Sequence, residues 1–265
     1  MKSFLAAAVA AALLVASHAF AQTASDGVAQ YRALLADGNP AELWEAKGEE
    51  LWKKPRGPKN ASLQQCDLGL GPGVVKGSFV TLPRYFKDTG RVQDLESRLM
   101  TCLQNLQGFD AAAIAKTPFG KGEHSSIESL VAWISSESAG LKFSVPQAHA
   151  EERNMYEAGK RIFFFRAGPY DFACASCHSQ PDKRIRLQNL PDLTTAKGAG
   201  AGFGGWPAYR VSSGELWGMQ RRLNDCFRQQ RFPYPGYGSD VTVALSVYMG
   251  VTAQGVASFA PALQR

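Results

Sequence analysis

Cys174-Ala175-Ser176-Cys177-His178 constrains the fold of this 265-residue chain more than any other stretch. Two thiols separated by two residues, with an imidazole directly after, form the pattern in which both sulfurs make thioethers to haem vinyl groups and the histidine binds the iron. A thioredoxin-type pair needs a preceding strand and a helix begun by the first cysteine, and half a zinc site needs two further ligands. Neither accompanies this motif. The chain is therefore expected to carry one covalently bound haem c, attached at Cys174 and Cys177 with His178 on the iron. A helix before the motif, a long loop after it and a closing helix are the layout of a cytochrome c domain.

The N-terminus, Met1-Lys2-Ser3-Phe4, runs into Ala, Val and Leu as far as Val15 and closes on Ala19-Phe20-Ala21. That is the build of a secretory signal peptide over 1–21, with cleavage expected after Ala21. Its apolar stretch of roughly a dozen residues is too short to span a bilayer. No later segment approaches the roughly 18 uncharged apolar residues of a spanning helix, so the mature chain is expected to be periplasmic, with no membrane span. The net charge is +6, or +5 once Lys2 is removed with the leader. Solubility alone accounts for a charge that modest, and nucleic acid is not expected as a partner. Five cysteines are an odd number. With Cys174 and Cys177 assigned to haem, the simplest assignment joins Cys66 to Cys102 in a disulfide and leaves Cys226 free.

Helical signals dominate, and no convincing alternation of the strand kind is visible. Asn39-Pro40 opens a helix over Ala41 to Trp52. Lys53 to Asn60 reads as a basic loop and the glycine-rich Cys66 to Gly77 as irregular. Arg91 to Leu106 places Val92, Leu95, Leu99, Leu103 and Leu106 at helical spacing, and Ser125 with Glu128 reads as a capping box for a helix ending near Gly140. Phe143 to Pro146 looks like a linker, dividing 22–142 from 147–265. Gln147 to Arg166 is the helix before the haem motif, with Phe163-Phe164-Phe165 read as core packing around the haem. Gly200-x-Gly202-x-x-Gly205 spells a dinucleotide fingerprint without its strand, so Gly198 to Gly205 is expected to be a loop. Ser213 and Ser239 are candidate caps of helices over about 214–231 and 240–250. His124 and His149 are read as surface residues.

The second axial ligand has three candidates on spacing, Met219, Met249 and Cys226. Cys226 has the unusual setting, because Arg221, Arg222, Arg228 and Arg231 all lie within five residues of it. On a helix Arg222 and Met219 share its face. Arginine beside a thiol favours the thiolate, the better nucleophile and metal ligand. The plainer reading is a solvated arginine face over a small buried thiol.

These residues closely resemble the SoxA family, the A subunits of the SoxAX cytochromes of bacterial sulfur oxidation. The likeness rests on Ser62-Leu63-Gln64-Gln65 running into Cys66-Asp67-Leu68-Gly69-x-Gly71-Pro72-Gly73, on Leu82-Pro83-Arg84-Tyr85-Phe86, and on Glu96-x-Arg98-Leu99 with Cys102 and Gln107-Gly108. It continues through Gly159-Lys160-Arg161-Ile162-Phe163 and Arg166-x-Gly168 to the haem motif, and ends on Arg221-Arg222 through Cys226 to Arg231. The resemblance implies a mainly α fold of two cytochrome c-like helical domains in tandem, the first degenerate and without haem. It implies an L-cysteine S-thiosulfotransferase, which oxidatively conjugates thiosulfate to a cysteine of the SoxYZ carrier in a heterodimer with the SoxX cytochrome. His178 and Cys226 would be the axial ligands, with Cys226 also the reactive sulfur. Arg222, with Arg221, would hold the thiosulfate dianion by charge-assisted hydrogen bonds. Many members carry a second C-x-x-C-H in the first domain. Only Cys66 and Cys102 stand there in this chain, which therefore resembles a single-haem type. Lys183, Arg184 and Arg186 are expected to face the partner cytochrome. The competing reading is an electron carrier with His178 and Met219 or Met249 on the iron.

Overall fold

Two helix pairs organise the chain, and each depends on a glycine. In the computed structural model, which describes residues 38–185 and 188–264, α1 (Ala41–Lys53) crosses α4 (Gly122–Ser136), and α5 (Ala150–Phe164) crosses α9 (Asp240–Thr252). A Cβ at Gly48 would run into the Ser129 carbonyl and the Trp133 side chain, and one at Gly159 would run into the Ala244 carbonyl and the Tyr248 side chain. Each crossing is thus a glycine set against a carbonyl and, four residues later on the same helix, a large aromatic residue. Only a residue without a side chain lets the two backbones approach this closely. The expected signal peptide, 1–21, and Arg186 lie outside the described residues.

The caps explain where the main helices start. The Asn39 Oδ1 accepts from the Ala41 N–H at 3.1 Å, opening α1. His149, read from sequence as a surface residue, is exposed and also caps α5: its Nδ1 accepts from Glu151 N and its own N–H donates to the Glu152 carboxylate. Ser239 Oγ caps α9 as expected. Ser125 does not cap α4, which begins three residues earlier at Gly122. The expected helix over 91–106 is divided: Arg91–Gln93 is a strand, Asp94 caps α2 (Leu95–Cys102), and a π-helical turn follows over Leu103–Gln107. A short α3 (Ala111–Lys116) leads into α4.

Strands exist that the sequence reading did not find. β1 (Arg84–Phe86) pairs antiparallel with β2 (Arg91–Gln93), and β3 (Arg184–Ile185) with β4 (Gln188–Asn189). β5 (Ala208–Arg210) lies between antiparallel β6 (Glu215–Trp217) and parallel β7 (Ala262–Gln264). Each is two or three residues long, too short for a period of two to show. Ser213 accordingly sits in the β5–β6 turn, and α8 begins only at Met219 (Met219–Gln229). The glycine run expected to be a loop is a helix, α7 (Ala196–Phe203), capped by Thr195. Its glycines serve packing, since a side chain at Gly200 would strike Val256.

The segment read as a linker is a buried strap. Phe143 and Val145 are almost fully buried, Phe143 exchanges backbone hydrogen bonds with Val256 and Gly255, and Ser144 N donates to Val80 O. The Phe143 ring meets Phe79 on one side and Phe203 on the other, 5.7 and 5.4 Å between centroids. One apolar core therefore runs from Leu63, Leu99 and Ile127 to Phe163, Leu245 and Tyr248. The disulfide Cys66–Cys102 is formed and lies inside it, pinning the irregular 66–77 segment to the end of α2.

Candidate functional site

The haem motif forms its own short helix, α6 (Cys174–His178). Ser176 Oγ accepts from the Ala173 N–H and Ser179 Oγ donates to the Ala175 carbonyl, so the turn is closed at both ends. His178 Nδ1 lies 2.9 Å from the Pro191 carbonyl, and Leu193 N donates to the His178 carbonyl. A carbonyl can only accept, so Nδ1 carries the proton and Nε2 is left bare, the form that binds a metal. Burial lowers the pKa of His178, with Arg222 adding to the shift, which keeps the ring neutral.

Cys174, Cys177 and Cys226 are free, half-buried thiols. They lie close enough to perturb one another. Burial pushes Cys174 up to about 12, with the charges of Cys226 and Cys177 adding to it. Cys226 is also pushed up, chiefly by burial; Arg222 and Arg210 pull the other way while Asp225 and Cys177 reinforce the rise. Arg222 and Arg210 favour the thiolate as arginine beside a thiol should, and desolvation outweighs them in the chain alone. Met249 is core in α9, and Met219 lines a small interior cavity with Asp94, Glu96 and Trp206.

Helix geometry sorts the four arginines. At roughly 100° per residue, Arg222, four before Cys226, shares its face, whereas Arg221 points to another flank. Arg222 pairs with Asp225 at 3.3 Å and lies over the Trp206 ring at 5.7 Å. Arg228 and Gln229 also bind Asp225, and Arg231 lies over Tyr170. Arg221, expected as a second substrate contact, is held by Glu128 and Glu215 and sits over the Trp217 ring at 4.4 Å. Arg210, from β5, also approaches Cys226 closely enough for each to shift the other. Nothing in the sequence marked Arg210, which is sixteen positions upstream and on another element.

Two acidic side chains from α2 hold the head of α8. Glu96 accepts from Gln220 N at 2.7 Å, and Asp94 accepts from the Gln220 side chain. The site helix is thus positioned by residues more than a hundred positions away. His124, expected at the surface, is buried with Nε2 on the Ile114 carbonyl. Of the three consecutive phenylalanines only Phe163 is core; Phe164 is 47% and Phe165 70% exposed. Phe164 borders a hollow of about 230 Å³ beside Ala173, Ser176 and Ser179. Free thiols on the C-x-x-C turn and the bare Nε2 fit a c-type haem, which Cys174, Cys177 and His178 would hold.

The SoxA/TsdA cytochrome c domain matches residues 47–143. The L-cysteine S-thiosulfotransferase subunit SoxA of Hydrogenophilus thermoluteolus is 56% identical over 238 residues, which span 90% of this chain and 87% of that protein. The chain belongs to the SoxA family. A SoxA subunit of Hydrogenobacter thermophilus is 33% identical over 82% of this chain and 78% of its own length. The SoxXA crystal structure from P. pantotrophus has the same fold, with a TM-score of 0.70 at 23% identity over 86% of this chain and 79% of that one. SoxA membership makes the chain a c-type cytochrome of mainly helical fold. Among the described residues no helix is long and apolar enough to cross a membrane.

The Glu128 carboxylate that anchors Arg221 makes stability pH-dependent. Burial pushes Glu128 from 4.5 up to about 7, against the pull of Arg221 and with a push from Glu215. Burial and Asp94 raise Glu96 as well. The folded chain keeps protons that the unfolded chain releases, so the contribution of these carboxyls to stability is fully present below about pH 4.5 and is lost as pH rises toward 7 and above. For Glu128 that fall is on the order of 2 to 3 kcal/mol. Urea unfolding at several pH values should show Glu128→Gln flattening this limb by about that amount; parallel profiles would refute the assignment.

Proposed function

We propose that this SoxA chain is the catalytic subunit of a periplasmic, single-haem thiosulfotransferase. It joins thiosulfate to a cysteine thiol of a SoxYZ-type carrier and passes electrons to a SoxX-type cytochrome. The carrying observation is Cys226, coupled to Cys174 and Cys177 and sharing a helix face with Arg222. A plain carrier with a methionine ligand needs no thiol there, and the positions of Met219 and Met249 do not support one. The names of the relatives support the reaction, the SoxXA likeness supports the partner, and the leader-like 1–21 supports export. The matching glycine crossings of α1 on α4 and α5 on α9 support two cytochrome c-like domains over 22–142 and 147–265. The disulfide at Cys66–Cys102 supports a first domain without haem.

Cys174 and Cys177 would hold the haem covalently, and His178 and Cys226 would bind its iron. Bound haem would supply the acceptor, taking electrons one at a time and delivering them to the partner cytochrome. Arg222 holds the sulfonate end of thiosulfate and directs the sulfane sulfur toward Cys226. The Cys226 thiol gives up its proton, and its sulfur bonds to the sulfane sulfur as two electrons leave. The carrier thiolate then attacks that sulfane sulfur, forms the new S–S bond and expels the Cys226 thiolate. One carrier proton and two electrons are lost for each thiosulfate attached. Lys183 and Arg184, both exposed on or beside β3, remain our proposed partner-facing charges. Mixing the exported protein with the partner cytochrome, carrier and thiosulfate should give a carrier heavier by one thiosulfate group on intact mass. A carrier left unmodified by the complete mixture would reject the function.

A further inference from the structure

Arg210 is a half-buried cation with no carboxylate partner among the described residues. It ends β5, the middle strand of its sheet, so hydrogen-bonded neighbours on both edges fix its backbone. Its guanidinium lies 5.0 Å from the Trp217 ring and 6.0 Å from the Trp206 ring. Arg222 lies over the same Trp206 ring at 5.7 Å. One indole, itself nearly buried, thus holds two guanidinium groups at the edge of the thiol site.

The two arginines differ in what answers them. Arg222 has Asp225. Among the described residues Arg210 has no carboxylate within ion-pair distance, and its Nε is buried with no hydrogen-bond partner. Other shielded arginines have a carboxylate partner: Arg56 has Glu123, although its Nη1 is also buried without a partner, Arg98 has Asp88, and Arg221 has Glu128 and Glu215. An orphaned buried donor on a cation, set near a second cation, is costly unless an anion completes the site. Cys226 and Asp225 are the acidic groups whose charges reach Arg210, so the gap adjoins the reactive thiol.

We propose that Arg210 is a second substrate-binding residue, which with Arg222 forms a two-arginine site for the sulfonate oxygens of thiosulfate beside Cys226. This rests on the reading of Cys226 as the reacting thiol. Arg222 is partly neutralised by Asp225, so Arg210 supplies the uncompensated charge that a dianion requires. Trp206 and Trp217 hold its guanidinium plane, which makes the site selective for a planar fork of donors over a single ammonium.

Thiosulfate should be titrated into the oxidised, haem-loaded protein by calorimetry, with the midpoint potential measured alongside, for wild type, Arg210→Lys and Arg210→Met. Met keeps the stem packing on the indoles, and Lys keeps the charge. The expected result is a roughly ten- to hundredfold rise in the thiosulfate Kd for Arg210→Met, with a smaller rise for Arg210→Lys and an unchanged potential. Sulfate, which has the oxyanion without the sulfane sulfur, should weaken in parallel. A shifted potential with unchanged Kd would assign Arg210 to a haem carboxylate and overturn the proposal, as would no change in either. Both failures leave the function standing if Cys226→Ala is inactive. Weakened thiosulfate binding in Arg210→Met with normal turnover in Cys226→Ala would instead keep the site and reject Cys226 as nucleophile.

Discussion

Cys226→Ala should abolish conjugation of thiosulfate to the carrier while leaving haem attachment complete. Attachment depends on Cys174 and Cys177, on a separate helix whose hydrogen bonds at Ala173, Ser176, Ser179 and Pro191 do not involve α8. The substitution removes one half-buried sulfur, and α8 keeps its anchors from Asp94 and Glu96. Denatured mass should therefore show full haem, the electron paramagnetic resonance spectrum should lose a thiolate-ligated signal, and the carrier should gain no mass. Arg222→Ala should behave differently. Asp225 keeps Arg228 and Gln229 as partners, so the helix survives. Loss of one charge-assisted contact to a dianion is worth roughly 1.5 to 3 kcal/mol, or about ten- to a hundredfold in kcat/KM. Wild-type turnover in Cys226→Ala would move the electron-carrier reading to first place.

Replacing both Cys66 and Cys102 with alanine should give the largest loss of stability of any change away from the haem. The bridge closes a loop with a sequence separation of 36, and the chain-entropy relation puts its contribution at about 4 kcal/mol. Both sulfurs are buried among Leu63, Leu68 and Leu99, so the variant also loses packing. The region most affected is the irregular 66–77 segment, which has little secondary structure to hold it. For a chain of this size the loss should lower Tm by roughly 8 to 16 °C. The consequence reaches the site, because Cys102 ends α2 and α2 carries the Asp94 and Glu96 carboxyls that seat α8. Thiosulfate affinity should weaken on warming well before global unfolding. A calorimetric Tm equal to wild type would show that the bridge is dispensable.

What could be read without coordinates was local or countable. The C-x-x-C-H run is five consecutive residues whose chemistry depends on little else, and the Asn39 and Ser239 caps act within three positions of themselves. The disulfide followed from an odd cysteine count with two thiols assigned to haem. Errors arose where local preference met tertiary packing. Glycines 198–205 looked like a loop because glycine is a poor helix former, yet close approach to Val256 rewards the missing side chain at Gly200 and the segment is helical through Phe203. The strands were invisible because two or three residues carry no period.

The sequence by itself supplied the candidate haem-attachment residues, the candidate proximal histidine, the reactive-thiol candidate and the arginine one turn before it, because each pattern lies within a single short helix. Only the tertiary structure decided which charges answer which. Arg221 and Arg222 are adjacent in sequence, and a rotation of roughly 100° sends one to Glu128 and Glu215 and leaves the other beside Cys226. Arg210 is carried toward Cys226 by a three-residue strand sixteen positions upstream. Coulombic partners are chosen by distance through space, and burial sets how strongly they act. Neither quantity exists until the two helix pairs have closed on their glycines.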